Sequence, residues 1–212
     1  KMKEHQRDKM FSNALIDISK KRDELFEEFK DFTDGFRVLL LLQRTKDGGN
    51  ASDEEKRMFE SYTTTNPEEF KEKLFNLLLI KTSSKLQLRI YLSANPRNPN
   101  KVIRYIEQSL IDAHYADETC RNSVYKKLLK KPRHFLMQPQ NKDSSLFLID
   151  IDNEEGKDVM GEVLTEMSRL NVVEVIRYKT KNGWHIVVEP FNLALWKHKS
   201  EIKKDPLILL DW

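Results

Sequence analysis

Cysteine is nearly absent: Cys120 is the only one in 212 residues, which excludes an internal disulfide framework and a cysteine-rich zinc site. No apolar run approaches the roughly 18 residues that a membrane span requires. The amino-terminal stretch is charged and has no apolar signal-peptide core. A dominant charge is missing as well. Thirty-seven Lys and Arg stand against 34 Asp and Glu, a net charge of +3, so a nucleic-acid footprint would have to come from local clustering. Neither an internal repeat nor a low-complexity tract is visible. What is present is an apolar fraction of 39%, enough for an ordinary packed core in one large domain or two small ones. The expectation is a globular, soluble, cytoplasmic protein with no membrane partner.

Over residues 8–42, Phe11, Leu15, Ile18, Leu25, Phe26, Phe29, Phe36, Leu39 and Leu40 recur at three- and four-residue steps, an amphipathic helical spacing. A loop is expected over 46–52. Ser52, with Glu55 three residues on, caps a helix through Met58, and Asn66-Pro67-Glu68-Glu69 opens another through Leu78. The period changes near Lys85: Leu86 to Leu92 alternates apolar and polar, and a Pro-rich loop, 93–99, ends the strand. Helices follow over 102–113 and 123–131, a strand over 146–152, a helix over 159–170 and a strand over 172–179. Asn182-Gly183 is a hairpin signal that pairs 184–189 with that strand. The expected fold is α+β, with a helical region over 1–84 and a mixed or antiparallel sheet domain with packed helices over 85–212.

Leu146-Phe147-Leu148-Ile149 runs into Asp150-Ile151-Asp152. Strand side chains alternate, so Asp150 and Asp152 share one face while Phe147, Ile149 and Ile151 fill the other. Two carboxylates with no base between them repel unless a cation lies there, and Asn153, Glu154 and Glu155 add oxygen donors suited to Mg2+ or Mn2+. A solvated strand end is the alternative. Thr180-Lys181-Asn182-Gly183 can offer backbone N–H groups and an ammonium to phosphate oxygens, with His185 on the adjoining strand; here the alternative is a plain surface hairpin. Alternation places His185 with Val187 and Glu189, and Trp184, Ile186 and Val188 opposite.

Together these segments resemble the archaeo-eukaryotic primase superfamily, the primase-polymerases of viral and phage type. Leu148-Ile149-Asp150-Ile151-Asp152 is similar to its hydrophobic strand ending in Asp-x-Asp, and Gly183-Trp184-His185 to its small-x-His motif. Leu209-Leu210-Asp211 is similar to its hydrophobic-Asp motif. The likeness covers about residues 85–212; the helical part and the zinc-binding cysteines that many members carry lie outside it. It implies a metal-dependent nucleotidyltransferase acting on DNA or RNA with nucleoside triphosphates, in which Asp150, Asp152 and Asp211 are catalytic and Asp150 and Asp152 hold Mg2+ or Mn2+. Thr180, Lys181, Asn182, Gly183 and His185 would bind nucleotide, with Glu189 as an alternative third carboxylate. A helicase or another replication protein is an implied partner.

Arg121, Lys126, Lys127, Lys130, Lys131, Arg133 and Lys142 occur with no acid among them and with Tyr125, His134 and Phe135 interleaved. That segment is a candidate backbone-binding surface for DNA or RNA, or a solvated helix face. Arg89, Arg97 and Arg104 flank the Pro-rich loop, where they serve either phosphates or salt bridges. The phrase from Arg89 to Arg97 is similar to uncharacterised phage proteins, which points to the host cell of a virus or mobile element. Two other functions stay open: a catalytically degenerate nucleic-acid-binding or regulatory protein, and a metal-dependent nuclease.

Overall fold

A computed structural model describes residues 2–33, 35–43, 58–63, 66–153 and 158–211. The chain divides into two compact units, Lys1–Ser93 with Leu207–Trp212, and Ala94–Pro206. Each contains a four-stranded sheet, every pairing antiparallel, and helices, so the class is α+β. The boundary therefore differs from the one expected at 84/85. The strand after Lys85 and the carboxy-terminal strand hydrogen-bond into the amino-terminal sheet, and this carries both into the first unit.

The first unit holds α1 (Met2–Phe29), β1 (Arg37–Gln43), β2 (Met58–Thr63), α2 (Pro67–Ser83), β3 (Leu88–Ser93) and β8 (Leu207–Asp211). The sheet order is β2-β1-β3-β8. Helical spacing predicts helix over 8–42, but the helix ends at Phe29 and, after a single 3-10 turn, Gly35 takes φ 74° before β1 begins. Val38, Leu39, Leu40 and Leu41 are fully buried in a strand flanked by β2 and β3. A strand covered on both faces reads as a continuous apolar run, which spacing alone does not separate from helix. Met58, expected to end a helix, begins β2; the loop expected over 46–52 and residues 52–57 lie outside the described residues. Further along, the Asn66 side chain caps α2 by accepting from the Glu68 N–H at 3.0 Å, with Pro67 in the first turn.

The second unit holds α3 (Pro99–Tyr115), α4 (Glu118–Lys130), α5 (Arg133–Leu136), β4 (Phe147–Asp152), α6 (Val159–Arg169), β5 (Glu174–Lys179), β6 (Gly183–Val188) and β7 (Glu201–Lys204), with sheet order β5-β6-β4-β7. α4 starts earlier than its apolar spacing suggests because Asp117 caps it, accepting from the Cys120 N–H at 2.8 Å. Val159, Val163 and Met167 of α6 pack on Ile149, Ile151, Ile186 and Val188, with Phe147 and Trp184 at the margin. That core takes one face of β4 and β6, so their alternate residues are delivered to the opposite face.

The entry into β4 is set by a buried polar cluster. Asn95 is fully buried; its Oδ1 accepts from the Ser144 hydroxyl at 2.8 Å and the Leu146 N–H at 2.7 Å, and its amide donates to Asp205 at 3.1 Å. Arg97, whose side chain is 0% exposed, donates from Nη2 to both Asp205 carboxylate oxygens, at 2.8 and 3.0 Å. Arg97 is thus a structural ion-pair residue. Asp205 has φ 56°, a conformation that Asp and Asn tolerate better than most residues. Asp205→Asn keeps that tolerance and removes the charge, leaving the guanidinium buried without a counter-ion. It is expected to destabilise the second unit by about 3 kcal/mol, and Arg97→Met/Asp205→Asn to recover a large part of that, read as denaturant midpoints.

Candidate functional site

The hairpin register makes a cross-strand row. Lys179 pairs with Trp184 and Tyr178 with His185, and on the far side of β6 His185 lies opposite Asp150. β7 completes it, with Glu201 opposite Asp150. Four polar side chains, Tyr178, His185, Asp150 and Glu201, therefore cross the sheet on the face away from α6. The Asp-x-Asp strand and the Gly-x-His strand are thus neighbours, and their key residues are in direct contact.

His185 Nε2 lies 3.1 Å from Asp150 Oδ1, and the Tyr178 hydroxyl 3.0 Å from His185 Nδ1. A carboxylate accepts only, so Nε2 carries a proton; in the neutral ring Nδ1 then accepts from Tyr178. Lys203, on β7, donates to Asp150 Oδ2, and its Nζ lies 3.4 Å from Glu201 Oε2. Asp150 is held well below the usual carboxylate range. The His185 hydrogen bond is the largest cause; burial opposes it, and Lys203 adds to the lowering. For Lys203, burial presses the ammonium down, but Asp150 and Glu201 outweigh it and the pKa is raised. Both charges are fixed at neutral pH.

A cleft of about 210 Å³ opens beside this row, lined by Asp150, Asp152, Val159, His198, Lys199, Ser200 and Glu201. Its rim loop is held by α6: Glu166 accepts from Arg169 and from the Lys197 N–H at 2.8 Å, and Arg169 donates to the Leu195 carbonyl at 2.6 Å. The His198 side chain is 9% exposed; its Nδ1 accepts from the Ser200 N–H at 3.0 Å. His198 Nε2, 3.4 Å from Glu162 Oε2, has no hydrogen-bond partner, nor has the buried Ser200 hydroxyl. Pockets that enclose drug-sized ligands measure about 300–1,000 Å³; this one has room for an ion and a few phosphate oxygens.

The turn predicted to bind nucleotide joins β5 to β6, two residues along the strands from Tyr178 and His185. Thr180 N–H is used inside it, donating to the Gly183 carbonyl at 2.9 Å, while Lys181 and Asn182 are exposed. Gly183 faces Asp152, and a Cβ there would come within 1.8 Å of the Ile151 carbonyl oxygen. Close approach of the backbones is what demands glycine, and the φ angle is not in the left-handed region. Asp152 itself is exposed, as is Glu189, and Glu154 and Glu155 lie outside the described residues.

Two groups of expected site residues are engaged in other contacts. Asp211 ends β8 in the first unit, 5% exposed, between Lys21 at 2.7 Å and Lys81 at 2.6 Å. Burial lowers the pKa of Lys81, against the effect of its hydrogen bond to Asp211. Arg121 donates to the Ala113, His114 and Ala116 carbonyls, closing the end of α3. Arg133 begins α5 and is half-buried. By contrast Lys126, Lys127, Lys130 and Lys131 are all exposed along α4, a helix with no buried residue. Sequence reading missed Tyr178, Glu201 and Lys203. Counting back across the hairpin would have found Tyr178; β7, four residues long, is too short to display its alternation.

Among the described residues no three His, Cys, Asp or Glu side chains are grouped to hold a metal ion, and no helix is long and apolar enough to cross a membrane. No family model, curated protein or solved structure matches the chain. Removing one charge from the Asp211 cluster tests its role. Asp211→Asn is expected to destabilise the first unit by about 3 kcal/mol, the low end for a broken buried pair because Lys21 is half in water. Divalent-cation binding, followed by calorimetry, should be unchanged; a loss would make Asp211 a ligand.

Proposed function

We propose that the second unit is a metal-dependent nucleotidyltransferase of the primase-polymerase kind, acting on nucleic acid with nucleoside triphosphates. One observation carries this reading: Asp150 of the Asp-x-Asp strand and His185 of the Gly-x-His strand are cross-strand partners in hydrogen-bond contact. The oxygen donors are of the kind a hard cation takes, although the three carboxylates of the cleft are not gathered as ligands in this arrangement. Asp150, Asp152 and Glu201 line one cleft, and the Lys203 ammonium, held by two of them, is a stand-in cation. Asp150 and Asp152 would hold Mg2+ or Mn2+, with Glu201 as third carboxylate in place of Asp211. When bound, two such ions stabilise both the attacking and the leaving oxygen of an in-line phosphoryl displacement.

The chain's own groups have separable roles. Tyr178 and Asp150 fix the His185 ring from both sides, so Nε2–H points at the carboxylate and keeps it ionised and oriented. Lys181 and Lys199, both exposed, supply charge beside the turn and on the cleft wall for triphosphate oxygens. A second reading has its own support: the four exposed lysines of α4 and its cap, none with an ion-pair partner among the described residues, suit sequence-independent contact with a phosphate backbone. In that case the domain binds DNA or RNA without catalysis.

The deciding experiment incubates the protein with a labelled primer-template, and with unprimed single strands, in Mg2+ or Mn2+, with and without nucleoside triphosphates. Extension or synthesis that falls to background in Asp150→Asn/Asp152→Asn, with circular dichroism unchanged, is the expected result. Salt-sensitive binding that survives the double substitution, with no product, would select the second reading. Cutting without added nucleotide would select a nuclease.

A further inference from the structure

Asp150 and Glu201 stand directly opposite each other on neighbouring strands, an arrangement in which like charges repel. Lys203 lies two residues along β7 from Glu201, on the same face, and its ammonium bridges the two carboxylates. Both Asp150 oxygens already have a nitrogen partner, His185 at Oδ1 and Lys203 at Oδ2. Each oxygen keeps a further lone pair, yet a divalent cation brought to this carboxylate competes with its present partners for the negative charge, so one of them is expected to give way. His185 is the poorer candidate, since Tyr178 pins its ring and its side chain is only 14% exposed. The Lys203 side chain is 41% exposed and ends a flexible four-carbon stem, so it can leave without disturbing the sheet.

Resting on the reading of the cleft as a cation site, we propose that Lys203 is an exchangeable counter-ion. It neutralises Asp150 and Glu201 in the resting protein and yields both carboxylates to a divalent cation. Once released, its ammonium stays at the cleft mouth as a donor to phosphate oxygens. Lys203 thereby acts as a selectivity element as well. A monovalent ion offers no more charge than the ammonium it would replace, whereas a divalent ion does, so exchange favours Mg2+ and Mn2+ over Na+ and K+.

The test is Mn2+ binding, by electron paramagnetic resonance of free Mn2+, to the wild-type protein and three variants. Lys203→Met removes the competing charge and keeps the stem; it should bind Mn2+ about tenfold more tightly, equivalent to about 1.4 kcal/mol. Lys203→Arg keeps the charge and can grip a carboxylate with two donors, so it should bind no better than wild type. Asp150→Asn should abolish binding. Should Lys203→Met fail to fold, the Lys203 side-chain resonance in isotopically labelled wild-type protein, assigned against Lys203→Arg, reports directly and should move on Mg2+ addition. Unchanged or weaker binding in Lys203→Met, or a Lys203 resonance indifferent to Mg2+, with Asp150-dependent binding intact, would overturn the exchange and leave the cation site standing. Equal or absent binding in wild type and Asp150→Asn would overturn both.

Discussion

The second unit depends on one carboxylate. Asp150 is the point at which β6, β4 and β7 exchange side-chain contacts: His185 reaches it from one side and Lys203 from the other. A half-buried anion loses hydration, and an opposed Glu201 adds repulsion, so an unpartnered Asp150 would be unfavourable in this position. Two nitrogen donors reverse that balance. The row Tyr178, His185, Asp150, Glu201 is therefore both a structural tie across the sheet and a store of aligned charge at the edge of a cleft.

Register protects the tie. One face of β4 and β6 is committed to α6 through Ile149, Ile151, Ile186 and Val188, and a one-residue slip would send His185 into that core and Ile186 out to the charged face. Gly183 reinforces the choice, because only a residue without Cβ lets the start of β6 lie against Ile151 at the end of β4. The Asn95, Arg97 and Asp205 cluster fixes the other end of β4 through Leu146. The site is thus held at both ends of one strand, by packing below and by polar contacts at its entry.

How much of this was legible follows from distance along the chain. The β5–β6 hairpin is local, its turn chemistry is explicit, and alternation assigned the faces of both Asp150 and His185 correctly. The helix caps at Asn66 and the helix after the Pro-rich loop were equally plain. Long-range pairing was not. Nothing in the sequence says that β7 rather than β8 lies beside β4, and so Asp211, with its hydrophobic approach, drew the attention while Glu201, the residue opposite Asp150, went unnoticed. β1 failed for a different reason: a strand buried on both faces loses the period-two signature and borrows that of a helix. Arg121 and Arg97 show that a basic residue in a basic segment is still free to serve helix ends and buried acids.

Amide chemical-shift mapping of the whole chain tests most directly whether this row and its cleft form one cation-dependent phosphate site. Mg2+ together with a non-hydrolysable nucleoside triphosphate should shift resonances at 150–152, at 180–185 and at 198–203, with triphosphate alone giving a much weaker response. Shifts confined to α4, or the same shifts with and without Mg2+, would contradict it.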